Sequence, residues 1–129
     1  RVSIARRWVA VALWATVIFM LSSRSQVPSP LGISGTLTSI AGHLVAYGIL
    51  GYLLVEAVGV SRVEPGTTAR LALLLAVLYG ISDEWHQSFV PGRDASLGDL
   101  FVDAVGAWLG VALQQTRAAV RGLRRTRRS

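Results

Sequence analysis

The residues best able to do chemistry sit close together. Ser82-Asp83-Glu84-Trp85-His86-Gln87 is followed by Arg93, Asp94, Asp99 and Asp103, so five of the seven acidic residues and one of the two histidines lie between positions 83 and 103. Carboxylates and imidazoles serve as general acids and bases, and an arginine fork grips a phosphate or carboxylate at two points. Asp83-x-x-His86 has the i, i+3 spacing of carboxylate-bridged metal sites. A single copy of that spacing is a weak pattern, and no metal or cofactor is expected. No nucleophile elbow, zinc-protease motif or phosphate loop is present. Cysteine is absent, which removes thiolate ligands and thiol nucleophiles.

The elements that must position these groups are apolar. The 129-residue chain is 52% hydrophobic and 16% charged, with a mean hydropathy of +0.50, a balance suited to a small multi-span membrane protein. An ionisable group at membrane depth costs about 2.5–3.5 kcal/mol on insertion scales, so a cluster of them points to use. The formal net charge is +6. The arginines that supply it fall at the ends of apolar runs, with no aromatic-interleaved basic surface, so a nucleic-acid partner is not expected.

The expected architecture is all-α: one domain over 1–129, with four transmembrane helices in an antiparallel bundle. The spans are placed at about 8–23, 37–60, 69–88 and 97–113, with a basic tail over 114–129. The first run follows Arg6-Arg7 and ends at Ser22-Ser23. It reads as an uncleaved span, because Ser22 to Gln26 makes a poor cleavage site. Pro28 and Pro30 mark a loop over 25–35, and Ser61 to Thr68 reads as a turn. Span three reaches crossing length only if it includes Asp83, Glu84, His86 and Gln87. Ser96-x-x-Asp99 reads as a capping box opening span four. Eleven arginines fall on the side of the two termini and the 61–70 turn, and only Arg24 and Arg93 on the other. That asymmetry predicts cytoplasmic termini and an outward-facing polar cluster.

Residues three, four and seven apart share a helix face. His43, Tyr47 and Gly51 form one stripe, Gly80, Glu84 and Gln87 a second with Asp83 and His86 beside it, and Asp99, Asp103, Gly106 and Gly110 a third. Gly106-x-x-x-Gly110 permits close approach of another helix. The stripes are expected to meet, with His43, Tyr47, Asp83, Glu84, His86, Gln87, Arg93, Asp99 and Asp103 lining one outward-opening pocket. Arg93 can instead pair with Asp99 or Glu84 and clamp the loop. Asp94 reads as a turn residue, Glu56 as an interfacial anchor, and the four tryptophans as belt or packing residues.

Leu13-Trp14, Ile18 to Ser23, His43 to Gly51, Ser82 to Arg93, and Asp99-x-x-x-Asp103-x-x-Gly106-x-x-x-Gly110 together resemble the VanZ-like membrane proteins, in order and spacing from about residue 8 to 113. The resemblance implies a bacterial inner-membrane protein of four helices, in a family whose name-giving member confers resistance to the glycopeptide teicoplanin. It carries the family's polar set onto His43, Tyr47, Glu84, Gln87, Arg93 and Asp99. Two positions depart from it. Ser39 and Ile40 stand where many members carry a lysine, and Asp103 stands where many carry asparagine, which makes the expected pocket more acidic and better suited to a cationic ligand.

Two functions follow as expectations. The first is a non-enzymatic envelope protein whose pocket binds membrane lipids, a lipid-linked cell-wall precursor or an amphiphilic drug. The second is an intramembrane hydrolase or transferase acting on a lipid-linked substrate, with His43 or Glu84 as general base and Arg93 as phosphate clamp.

Overall fold

The computed structural model describes residues 3–25, 35–59 and 64–126. Among them there are four α-helices and no strand: α1 (Ile4–Ser22), α2 (Gly35–Val58), α3 (Pro65–Gln87) and α4 (Leu97–Thr126). All four are long and apolar enough to cross a membrane. The chain is therefore an all-α, multi-pass membrane protein. The loop expected over 25–35 lies almost wholly outside the described residues.

Local chemistry sets the helix ends. Ser3 caps α1 by accepting from the Arg6 amide at 3.4 Å. α3 begins at Pro65, a few residues before the expected start at 69, so Pro65 to Thr68 belong to a helix and not to a turn. Proline suits the first helical position because the amide hydrogen it lacks would have no partner there. The Thr68 amide closes that turn on the Glu64 carbonyl at 2.9 Å. α4 was expected to end near Leu113 and instead continues to Thr126. Polar residues after Leu113 end the apolar stretch but not the helix, since glutamine, alanine and arginine are strong helix formers.

Cross-helix contacts fix the directions. At one end, Arg7 pairs with Glu56 at 3.1 Å, Gln114 donates to Glu56 at 2.8 Å, and Gln115 donates to the Pro65 carbonyl at 3.3 Å. The start of α1, the end of α2, the start of α3 and the C-terminal half of α4 are thereby gathered. At the opposite end Ser22, His43, Asp83 and Asp103 meet. Consecutive helices are thus antiparallel, while α2 and α4 run the same way. Glu56, expected to be an interfacial anchor, also ties α1 and α4 to α2.

Large apolar side chains face outward along all four helices, while Ile18, Leu50, Leu54 and Val55 are among those that remain in the core. Leu13, Leu74, Leu78, Trp85, Phe101 and Leu109 are exposed, while Ala72, Ala76 and Ala107 are fully buried along with Asp83, Gln87 and Asp103. Lipid tails are as apolar as leucine, so helix association rests on close packing of small residues and on polar contacts. Trp14 joins this packing by donating to the Ala46 carbonyl at 2.8 Å.

α2 and α4 share the most extensive interface. Its closest points are glycines. A Cβ on Gly106 would sit 2.6 Å from the Leu44 carbonyl oxygen, one on Gly110 would overlap the Gly48 carbonyl, and one on Gly51 would overlap Ala107 backbone. Backbone cannot give way as a flexible side chain can, so a methyl here must push the helices apart. Gly110→Ala is expected to lower stability by about 1–3 kcal/mol or more, as overpacking does. Gly122→Ala, with nothing within 4 Å of the added Cβ, is expected to be neutral or stabilising by up to ~1 kcal/mol. Melting temperatures of the two variants in detergent check this.

Candidate functional site

The last two turns of α3 turn Asp83, Glu84 and Gln87 inward, where they are at most 6% exposed, while Trp85 faces out. Ionised or amide groups in such a place must find partners. Asp83 Oδ2 accepts from the Ser22 hydroxyl at 2.7 Å and from Gln87 Nε2 at 3.0 Å. Ser22 ends α1, so this is a polar junction between α1 and α3. Beside it, Ser23 Oγ donates to the Phe19 carbonyl at 2.7 Å and lies 3.0 Å from His86 Nε2. With its one proton committed to Phe19, Ser23 accepts from His86, whose ring packs on Phe19 at 4.3 Å between centroids.

Glu84 has a different task. Its Oε2 accepts from the Ser96 amide at 2.7 Å, while Ser96 Oγ accepts from the Asp99 amide at 3.2 Å. Half of the expected capping box is present. The returning half, which Asp99 was expected to supply, comes instead from a glutamate on the neighbouring helix. α4 therefore starts where Glu84 holds it.

His43 Nδ1 lies 2.7 Å from Asp103 Oδ1. Donation to the carboxylate orients the ring and leaves Nε2 available. His43, Glu84 and Asp103 each offer an atom within 4.8 Å of the others. Tyr47, 1% exposed, lies parallel to the His43 ring at 6.5 Å between centroids.

A cleft of about 100 Å³ runs between α1 and α2. Ile18, Leu21 and Ala46 give it apolar walls, and His43, Tyr47, Asp83 and Arg93 are its strongest polar groups. Among the described residues, Tyr47 Oη, Asp83 Oδ1 and Arg93 Nε are buried with no hydrogen-bond partner, as are Glu84 Oε1 and Asp103 Oδ2.

The nine expected pocket residues are thus divided. His43, Tyr47, Asp83 and Arg93 reach the cleft. Glu84 and Asp103 lie behind it with His43, Gln87 supports Asp83, and His86 faces α1. Asp99 stands half-buried in the first turn of α4. Arg93 makes no ion pair with Glu84 or Asp99 among the described residues, whose ion pairs are Arg7–Glu56 and His43–Asp103. The clamp across the α3–α4 loop is therefore not formed. Asp83 and His86 also hold separate partners on α1, which argues against the i, i+3 pair as a joint metal site. Sequence reasoning missed Ser22, Ser23, Thr38, Ser39 and Gly42 as site residues. Ser22 and Ser23 read as the end of an apolar run, and only their polarity at the level of the acidic cluster signalled more.

The fold and the buried ionisable cluster at one end define a small polytopic membrane protein with a polar site set between apolar helices. Residues 7–117 match the VanZ/LLP1 family, and the chain belongs to it. Comparison with curated proteins and with solved structures gave no match.

The junction at Asp83 makes a prediction. Ser22→Ala removes one of the two donors to a buried carboxylate and is expected to cost about 1–3 kcal/mol. Ser23→Ala, at an exposed position, is expected to stay within about 0.5 kcal/mol. Thermal unfolding of both variants in one detergent checks the difference.

Proposed function

We propose that the protein binds the polar head of an amphiphile, such as a lipid-linked cell-envelope intermediate, in the cleft between α1 and α2. The observation that carries this is the cleft's composition: apolar walls on two membrane-spanning helices, with Arg93 Nε, Asp83 Oδ1 and Tyr47 Oη unpartnered among its lining residues. An unpaired buried polar atom costs about 1–3 kcal/mol. A head group with both acceptors and donors answers all three, with Arg93 taking a phosphate or carboxylate oxygen. Size limits what is enclosed. Pockets for whole drug-sized ligands run to about 300–1,000 Å³, so a cleft of about 100 Å³ encloses only a phosphate-sized part of a head group, while the rest of the head and the acyl or prenyl chain lie outside.

The arginine asymmetry supports cytoplasmic termini in a bacterial inner membrane, with the cleft toward the outer leaflet. A ligand there would be an envelope intermediate at its outward-facing stage, which would link the protein to glycopeptide (teicoplanin) susceptibility. Reporter fusions at Pro65 and at the C-terminus are expected to report a cytoplasmic location, and an external Pro65 would reverse the side.

The binding test is mass spectrometry of co-purified lipid. Wild-type protein is expected to retain one lipid class selectively. Arg93→Lys keeps the charge and loses the two-point fork, and is expected to keep its melting temperature and lose that lipid. A stable Arg93→Lys protein with an unchanged lipid complement would overturn the reading.

A second reading, an intramembrane hydrolase or transferase, draws on the His43–Asp103 pair. A carboxylate at 2.7 Å from Nδ1 orients the ring, and His43 lines the cleft while Glu84 does not, so His43 is the favoured base. Phosphorus NMR of the retained lipid after incubation separates the two. Binding leaves the spectrum unchanged. Turnover changes it with wild-type protein and not with His43→Gln.

A further inference from the structure

Behind the cleft, His43 on α2, Glu84 on α3 and Asp103 on α4 bring three different helices to one point, with ligand-capable atoms all within 4.8 Å of one another. The two carboxylates are 6% and 1% exposed. Each has one oxygen committed, Glu84 Oε2 to the Ser96 amide and Asp103 Oδ1 to His43. Each has its second oxygen, Glu84 Oε1 and Asp103 Oδ2, buried with no hydrogen-bond partner among the described residues. Buried carboxylate oxygens without partners are costly, and a bound cation would satisfy them. No arginine or lysine of the described residues forms an ion pair with either. On the α3 side Gly80 comes close to the cluster: a Cβ there would lie 3.2 Å from Leu100, 3.4 Å from the Tyr47 ring and 3.6 Å from Asp103 Oδ2.

We propose that Glu84, Asp103 and His43 form a binding site for a divalent first-row metal ion. The donor set selects the class. Calcium and magnesium take oxygen ligands almost exclusively, whereas one imidazole nitrogen with two carboxylates suits zinc or manganese. Bonds of about 2.0–2.2 Å place tetrahedral ligand atoms roughly 3.3–3.6 Å apart. Separations of up to 4.8 Å must therefore close by roughly 1.2–1.5 Å, while His43 Nδ1 and Asp103 Oδ1, now hydrogen-bonded at 2.7 Å, must part by roughly 0.6–0.9 Å with release of the imidazole proton. Three protein ligands leave a coordination position open, and His43 is common to this site and the cleft. The site stands independently of the amphiphile reading, since its probe is the metal alone.

Full-length protein is purified in detergent, stripped with chelator, and titrated with Zn²⁺ and with Mn²⁺. Bound metal is read by elemental analysis after desalting, and melting temperature is read in parallel. Wild type is expected to take up about one equivalent of one of the two ions and to melt higher when loaded. Glu84→Gln keeps an oxygen for the Ser96 amide, so it is expected to fold and to lose the bound metal. Asp103→Asn is expected to weaken binding at least about tenfold. His86→Ala, outside the cluster, is expected to bind as wild type does. Substoichiometric uptake of both ions by wild type would overturn the proposal. So would full uptake by a folded Glu84→Gln protein, or loss of metal in His86→Ala with retention in Glu84→Gln.

Discussion

The rest of the structure depends on the backbone contact between α2 and α4. These helices run in the same direction, so contacts along their seam follow one another in the same order on both. Gly106 against Leu44 and Gly110 against Gly48 close that seam to a distance no side chain would allow. The same seam brings Asp103 to His43 at the polar end and Gln114 to Glu56 at the other. A bulkier residue at the seam would not simply loosen packing. It would move every polar partner along α4 relative to α2 at once.

Lipid solvent explains the distribution of everything else. With no hydrophobic drive between helices, glycine, alanine and polar groups share the interior with a few large apolar side chains such as Ile18, Leu50 and Leu54. Those polar groups are concentrated at one end, where a few residues serve two helices each. Glu84 belongs to α3 and starts α4. Ser22 ends α1 and satisfies Asp83. The bundle is held at this end by bonds between termini, which makes the site part of the scaffold.

Much of this was legible in the sequence, because apolar runs of spanning length leave little choice of fold. The four helices, the placement of the acidic cluster in the last turns of α3 and the glycine pair on α4 all follow from run length and helical spacing. The partners did not. Nothing local says that Gly110 meets Gly48, because both are small residues in apolar surroundings. The Glu84–Ser96 cap was hidden by a nearer candidate, Asp99, at the spacing a capping box requires. Arg93 lay between two acids in sequence and was open to pairing with either. In space Glu84 is already held by a backbone amide, and Arg93 reaches the cleft instead. The edge of the apolar stretch after Leu113 does not mark the end of α4, because the polar residues that follow are strong helix formers.

That last difference carries a consequence for depth. α4 has 30 residues and so measures about 45 Å at 1.5 Å per residue, well beyond a hydrocarbon core of about 30 Å. Arg117 is the first of its basic residues and the natural place for the membrane boundary to fall. Asp103 is fourteen residues back toward the other face, about 21 Å along the axis. The buried carboxylates would then sit roughly 9 Å beneath the opposite boundary of a bilayer of average thickness. A rigid rod anchored at one face makes that depth a property of the lipid as much as of the protein. A membrane a few ångströms thinner draws the far boundary down toward the site, and a thicker one seals it deeper, so hydrophobic mismatch sets how readily water reaches these groups.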